Sequence, residues 1–257
     1  MSIISKFVLL MLLLQQITYY AHARKLIVVG VPAPPMRYLD SNKQPRGFDI
    51  DVLDHILKKL GHEYIVVLID SSPRIEIMWQ KGDMDILMTY SYKEKRGKYL
   101  IYPKESHVKV AWNFFIRKED KEKIKFQDYS DLKEWRVGAS SGKSYTKEFW
   151  EATKLFPNIQ IIPRDAVQLS KLINKRLDVV PLETLSALYK AHQQGISDQI
   201  TYLKKPLKIK PYYNLFVKAS SYPNLKSLVK KYDEELLRMK HDGTLGRIKQ
   251  KYHFVDI

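Results

Sequence analysis

An α/β fold with parallel strand pairing is what this chain predicts, and three features carry that expectation. Continuous apolar runs of β-type residues at 26–31, 64–69 and 86–89 alternate with stretches of helical period. The unit KGDMDIL (81–87), a helix end followed by a turn and a strand, returns as NKRLDVV (174–180), which suggests two similar halves. Two further runs rich in aromatic and apolar residues, 110–116 and 212–217, resemble each other and suit strands that cross between the halves.

The elements follow in order. The run 26–31 is a buried strand stopped by Pro32, Pro34 and Pro35. Gly47-Phe48-Asp49 opens a helix, with Asp49 as its cap, Asp51 near its positive end, and Val52, Leu53, Ile56, Leu57 and Leu60 on one face until Gly61. After the strand 64–69, a short helix at 75–81 is stopped by Gly82, and Asp85 leads into the strand 86–89. A helix at 167–175 precedes the strand residues Val179 and Val180. The chain ends in a long amphipathic helix from about 224 to 241 and a short one containing Leu245, Ile248 and Tyr252.

Composition narrows the function classes. Lys6, the apolar run 7–14 and Ala21-His22-Ala23 have the form of a signal peptide cut after Ala23, and the run is far shorter than the roughly 20 residues of a membrane span. There is no cysteine, hence no lipid-attachment cysteine and no disulfide, and a soluble, periplasmic, monomeric protein is expected. The formal net charge is +16, but the 44 Lys and Arg are interspersed with 28 Asp and Glu, as in RKEDKEK (117–123), which reads as a solvated loop or helix face. No basic run is interleaved with stacking aromatics, so no nucleic-acid partner is expected. The seven histidines are scattered without His-x-x-x-His spacing, and no metal or other cofactor is indicated.

The stretch RVGASSGKSY (136–145) admits three chemistries. Gly138, Gly142, Lys143 and Ser144 suggest a phosphate loop, yet one residue is missing between the first glycine and the Gly-Lys pair. Gly138-Ala139-Ser140-Ser141-Gly142 fits Gly-x-Ser-x-Gly, the nucleophile elbow. The third reading is a glycine turn between strand and helix, whose free N–H groups attract any anion, a carboxylate included.

Together, GFDIDV (47–52), the stretch from Gly82 through Arg96, and KHDGTLGRI (240–248) resemble, in order and spacing, the extracellular solute-binding proteins of family 3, the polar amino-acid-binding components of bacterial ABC importers. The resemblance covers nearly the whole chain after residue 23. It implies a two-lobed type II periplasmic binding protein fold: two Rossmann-like lobes joined by two crossing strands, lobe one at 24–109 and 211–257, lobe two at 110–210, with a ligand between them. It also implies a membrane permease as partner.

The family's ligand residues carry over to this sequence as follows. Arg96 stands where members clamp the ligand's carboxylate, a task suited to a guanidinium, which offers two parallel hydrogen bonds and keeps its charge. Ser91 and Thr89 stand where backbone and hydroxyl groups meet the same ligand. Glu183, five residues after Asp178, stands where an acid, usually aspartate, receives the ammonium group. Ser141, Gly142, Lys143 and Ser144 then form an anion pocket, which selects the glycine-turn reading. Ala33 and Met36 replace the family's usual aromatics, so the aromatic clamp is thinned; Tyr90, Tyr92 and Trp112 are candidates to restore it. Arg74 is a candidate second anion partner.

Two other classes fit the same resemblance. An enzyme of dehydratase type requires a placed acid or base, for which Glu183 or His107 is nominated; a ligand sensor would keep the pocket and dispense with transport.

Overall fold

The computed structural model describes residues 24–252, apart from 142, 144 and 163–166, together with residue 254; the expected signal peptide lies outside the described residues. In the first half, the central strand β1 (Leu26–Gly30) is flanked in parallel by β4 (Tyr64–Leu68) and β5 (Ile86–Ser91). A small hairpin, β2 (Tyr38–Leu39) and β3 (Pro45–Arg46), precedes helix α1 (Phe48–Lys59), and α2 (Ser72–Lys81) joins β4 to β5. The short β6 (Leu100–Ile101) follows.

Helix α1 buries Phe48, Val52, Leu53, Ile56 and Leu57, the stripe that its spacing requires. Its start differs from the sequence reading. Gly47 is the cap, at φ 126°, where any Cβ would strike the carbonyl of Met36, and Asp49 sits inside the helix with no capping bond. Asp49 is buried and spent elsewhere, its carboxylate accepting from Arg37 at 2.6 Å and lying 2.9 Å from Nε2 of His107. Helix α2 begins three residues before its apolar pattern, because Ser71 accepts from the Arg74 N–H at 3.4 Å and Pro73 suits the first turn.

The second half opens with β7 (Val108–Arg117) and continues through β8 (Gly138–Ser140), α3 (Lys147–Thr153), β9 (Gln160–Ile162), α4 (Gln168–Ile173), β10 (Val180–Glu183), α5 (Thr184–Gln193) and β11 (Ile200–Tyr202). Strand β12 (Lys208–Val217) then returns to the first half, and α6 (Leu225–His241) and α7 (Thr244–Lys251) close the chain.

One eight-stranded sheet runs through both halves in the order β10-β7-β12-β5-β1-β4, with β11 beside β7 and β6 beside β12. Residues 108–112 of β7 pair antiparallel with 208–212 of β12. Beyond that ladder the strands diverge, β7 to pair with β10 and β11, β12 to pair with β5 and β6. The parallel expectation therefore holds around β1 and for β8 with β9, while the crossing strands make the sheet mixed.

The apolar side chains gather on both faces of each half. Around β1 and β5 they form one cluster with α1 and α6, which includes Phe48, Phe216 and Tyr232, and another with α2, which includes Ile75 and Trp79. Around β7 and β10, Phe114 and Phe149 anchor one cluster and Phe115 and Leu172 another. Each fully buried large side chain contributes roughly 1.5–3 kcal/mol of transfer free energy.

The charged run at 117–123 is not merely solvated. Arg117 is buried, 2.7 Å from Asp120 and 2.7 Å from Asp178, and Asp178 also accepts from Arg136. Among the described residues no helix is long and apolar enough to cross a membrane.

Candidate functional site

The stretch 136–145 folds as a strand and a loop. Gly138 is required by close approach, since a Cβ there would strike Gln168 and Leu177. Ser140 is fully buried, its hydroxyl accepting from Gln168 at 3.1 Å and its N–H donating to the Tyr145 hydroxyl at 3.3 Å. A nucleophile elbow exposes its serine at the turn into a helix; here α3 starts only at Lys147, after the Thr146 cap. Gly142 and Ser144 lie outside the described residues, and Ser141 is exposed. Lys143 is placed, with its amine 5.9 Å above the ring of Trp112.

Trp112 marks the middle of a row across three strands. It faces Lys208 on β12 and Glu183 on β10, and residues directly opposite in antiparallel strands point to the same side of the sheet. Lys208 places its amine 4.6 Å from the centre of the same indole ring. Lys210 and Tyr212, two and four residues on, share that side of β12. Lys208 is half-buried; burial, joined by the charges of Lys210, Lys93 and Lys143, holds its amine down at about 8.

Glu183 closes β10 and caps α5, its two carboxylate oxygens accepting from the N–H groups of Leu185 at 3.0 Å and Ser186 at 2.9 Å. The glutamate folds back onto its own helix, which absorbs the extra methylene. Burial pushes its carboxyl above the ordinary range, and the two N–H donors only partly offset that. Together with Thr184, Leu185, Met36, Val108 and Leu245 it lines a cavity of ≈ 440 Å³ between β7, the head of α5 and α7.

On the other side, Arg96 stands in a 3-10 turn, Glu94–Lys98, just after β5. Its guanidinium lies 4.8 Å over the ring of Tyr90 and donates to the carbonyl of Ser91 at 2.9 Å; among the described residues no carboxylate pairs with it. Tyr212 connects the two sides. Burial raises its phenol, which hydrogen-bonds Ser91 and feels the opposed charges of Glu183 and Arg96.

Thr89 is turned inward. Its φ of 60° is unusual for a β-branched residue and costs on the order of 1–3 kcal/mol. The pairing of β5 with β12 shifts at this point, between Tyr213 and Leu215. Asn214 accepts from the Thr89 N–H at 3.2 Å, and the hydroxyl lies 3.4 Å from His107 Nε2, inside the Arg37–Asp49–His107 cluster. Beyond the irregularity Ser91 and Tyr90 pair regularly with Tyr212 and Tyr213.

The expected residues thus divide. Arg96, Ser91, Glu183 and Lys143 meet around Tyr212 and Trp112, and Thr89 supports them from below. Arg74 is exposed on the first turn of α2, and no hydrogen bond or ion pair among the described residues joins it to the group. Tyr92 is exposed beside Tyr102, so the aromatic surface of the group comes from Tyr90 and Trp112, both already facing cations. Lys208, Lys210 and Tyr212 were not singled out from sequence as site residues. The alternation of KIKPYY (208–213) was the available signal, since it sets them on one side of an extended strand. Among the described residues no cluster of His, Asp and Glu is arranged to hold a metal ion.

The chain is similar in fold to many solved structures. The probable amino-acid ABC transporter extracellular-binding protein ytmK of Bacillus subtilis superposes with a TM-score of 0.75 at 17% identity, covering 90% of this chain and 98% of that one. Substrate-binding domain 2 of GlnP from Lactococcus lactis, in an open conformation, gives 0.72 at 20% identity, with 91% and 96% covered. An ancestral cationic amino acid solute-binding protein gives 0.72 at 21% identity, with 90% and 96% covered. No curated protein matches this chain in sequence. The model of the bacterial extracellular solute-binding proteins, family 3, matches residues 26–255, and the chain belongs to that family.

Proposed function

We propose that the protein captures a small polar ligand, an amino acid, between two lobes and hands it to an ABC transporter permease, as a soluble periplasmic protein exported by the segment 1–23. The lobes are 24–109 with 211–257, and 110–210, hinged where β7 and β12 pair. One observation carries this reading: Arg96, without a carboxylate partner among the described residues, donates to the carbonyl of Ser91, which pairs with Tyr212, and Tyr212 shares its side of β12 with the row Lys208–Trp112–Glu183, so that an arginine and an acid are brought to one face of the crossing strands. A zwitterion laid between them meets a charge of the right sign at each end. The similar structures described as an amino-acid transporter component and as a substrate-binding domain support the same reading.

The test is a melting-temperature panel of amino acids, their des-amino acids, sugars and polyamines. A ligand at about 100 times its dissociation constant adds roughly 2.7 kcal/mol, an upward shift of several degrees. Arg96→Ala should abolish the shift and leave a folded protein. Shifts from sugars or polyamines alone would refute the assignment.

A further inference from the structure

Strand β10 ends its pairing with β7 at Glu183 and Trp112. Among the described residues no strand lies beside the β7 edge at 108–111 on that side, and the gap opens the cavity of ≈ 440 Å³ that Glu183 borders. Met36, Val108, Val110, Leu185, Leu188 and Leu245 bring carbon to its wall from both halves of the chain. Met36, Val108 and Leu245 belong to one buried cluster, and Val110, Leu185 and Phe254 pack against it, so the wall is held in shape by the core. The polar groups of the wall are engaged elsewhere or open to water. The Thr184 hydroxyl lies 3.1 Å from the Ala111 carbonyl and 2.7 Å from the Asn113 amide oxygen, and the Lys240 amine lies 2.5 Å from Glu105. The His107 side chain is wholly buried, while Ser106, Lys109 and Lys249 are partly or fully exposed.

Strand register connects this cavity to the site. Val108 is opposite Tyr212 and Val110 opposite Lys210, so the β7 part of the wall lies on the side of the crossing strands that carries Tyr212. Resting on the reading of Arg96 and Glu183 as the ends that hold an amino acid, we infer that the preferred ligand is an amino acid with a large apolar side chain, branched aliphatic or aromatic, which enters this cavity while its ammonium stays at Glu183. Such a side chain leaves water and meets carbon, which is favourable in proportion to the area covered. A side chain ending in an amide also leaves water, but it meets a hydroxyl and an amine that are already bonded, and its own polar atoms lose partners. Leucine and glutamine, alike in length and opposed in polarity, are the discriminating pair.

Calorimetric titration of the purified protein near pH 7 with L-leucine, L-isoleucine, L-phenylalanine, L-alanine, L-glutamine, L-glutamate, L-lysine and 4-methylpentanoate tests the inference. Each methylene buried in the cavity multiplies affinity roughly fourfold, so the best of the three large apolar amino acids should exceed L-alanine by roughly 50-fold. It should exceed L-glutamine, L-glutamate and L-lysine by roughly tenfold or more. Leu185→Trp, which fills the cavity, and Leu188→Asn, which makes its wall polar, should each lower that affinity by roughly tenfold and leave L-alanine within about twofold. Leu155→Asn, at an exposed position, should keep the preference. Melting curves establish that each variant is folded. A polar amino acid binding most tightly, with Arg96 still required, would overturn this inference and leave the amino-acid reading standing; so would a leucine affinity that both wall variants leave unchanged. 4-Methylpentanoate matching L-leucine, with both wall variants weakening it, would uphold the apolar seat and remove the role of Glu183 as ammonium partner. Absence of binding by every probe at millimolar concentration would overturn both.

Discussion

The guanidinium of Arg96 lies 4.8 Å over the ring of Tyr90 while one of its nitrogens donates to the Ser91 carbonyl at 2.9 Å. The ring and the carbonyl fix the plane of the fork before any ligand arrives, so little rotamer freedom remains to be lost on binding. Arg96→Lys should therefore lose binding by roughly 30-fold or more, because an ammonium cannot reproduce the paired hydrogen bonds. Tyr90→Leu should weaken it several-fold, about 1 kcal/mol, through loss of the platform alone. Calorimetry separates the two, and equal losses would deny the ring its orienting role.

Lys208 makes stability depend on pH. With its folded value near 8 and the ordinary lysine value at 10.5, the folded protein releases this proton first. Below about pH 8 the amine is charged in both states and the burial penalty is fully present; between about 8 and 10.5 the unfolded chain holds more protons, and stability rises with pH. Relative to Lys208→Met, the melting temperature of the native protein should climb across that window.

Asp178 ties three segments together, accepting from Arg136 at Nε and Nη2 and from Arg117 at Nη2, each at 2.7 Å. Burial opposes its ionisation, but these bonds outweigh it and hold the carboxyl at about 2. Asp178→Ala leaves Arg117 buried with Asp120 at 2.7 Å and the more exposed Glu119 at 3.6 Å as its remaining acids and should cost about 3 kcal/mol, read as a lower urea midpoint. The contribution is complete above about pH 4 and is lost as pH falls toward 2. A variant whose stability runs parallel to the native protein through that range would refute the assignment.

Closure of the lobes predicts a smaller radius of gyration with ligand, since a molecule touching Arg96 on one side and Glu183 and Lys143 on the other favours the state in which all three reach it. Small-angle scattering with and without saturating ligand measures this. An unchanged profile would place the ligand elsewhere or show the free protein already closed.

The helices of the first half were legible because their apolar stripes are long and their stops are glycines. Asp49 misled because a carboxylate near a helix start has the sequence form of a cap whether it bonds its own backbone or, as here, Arg37 and His107. The strands Gly138–Ser140, Gln160–Ile162 and Ile200–Tyr202, three residues each, are too short to show a period. In the candidate site, Arg96 and Glu183 were visible through motif order. Lys208 and Lys210 were hidden because lysine in a basic chain reads as solvent-facing, and only strand register sets Lys208 opposite Trp112 and Glu183.

The ladder between β7 and β12 has a mechanical consequence. A hydrogen-bonded pair of strands resists stretching and in-plane shear but yields readily to torsion, so two lobes that share it swing by twisting it. Lys208, Lys210, Trp112 and Tyr212 lie on the twisting ribbon itself. On the proposed two-lobe reading they form the axle of the motion, while Arg96 and Lys143 ride on the arms. The groups on the axle then keep their mutual spacing during opening, and those on the arms are the ones that travel.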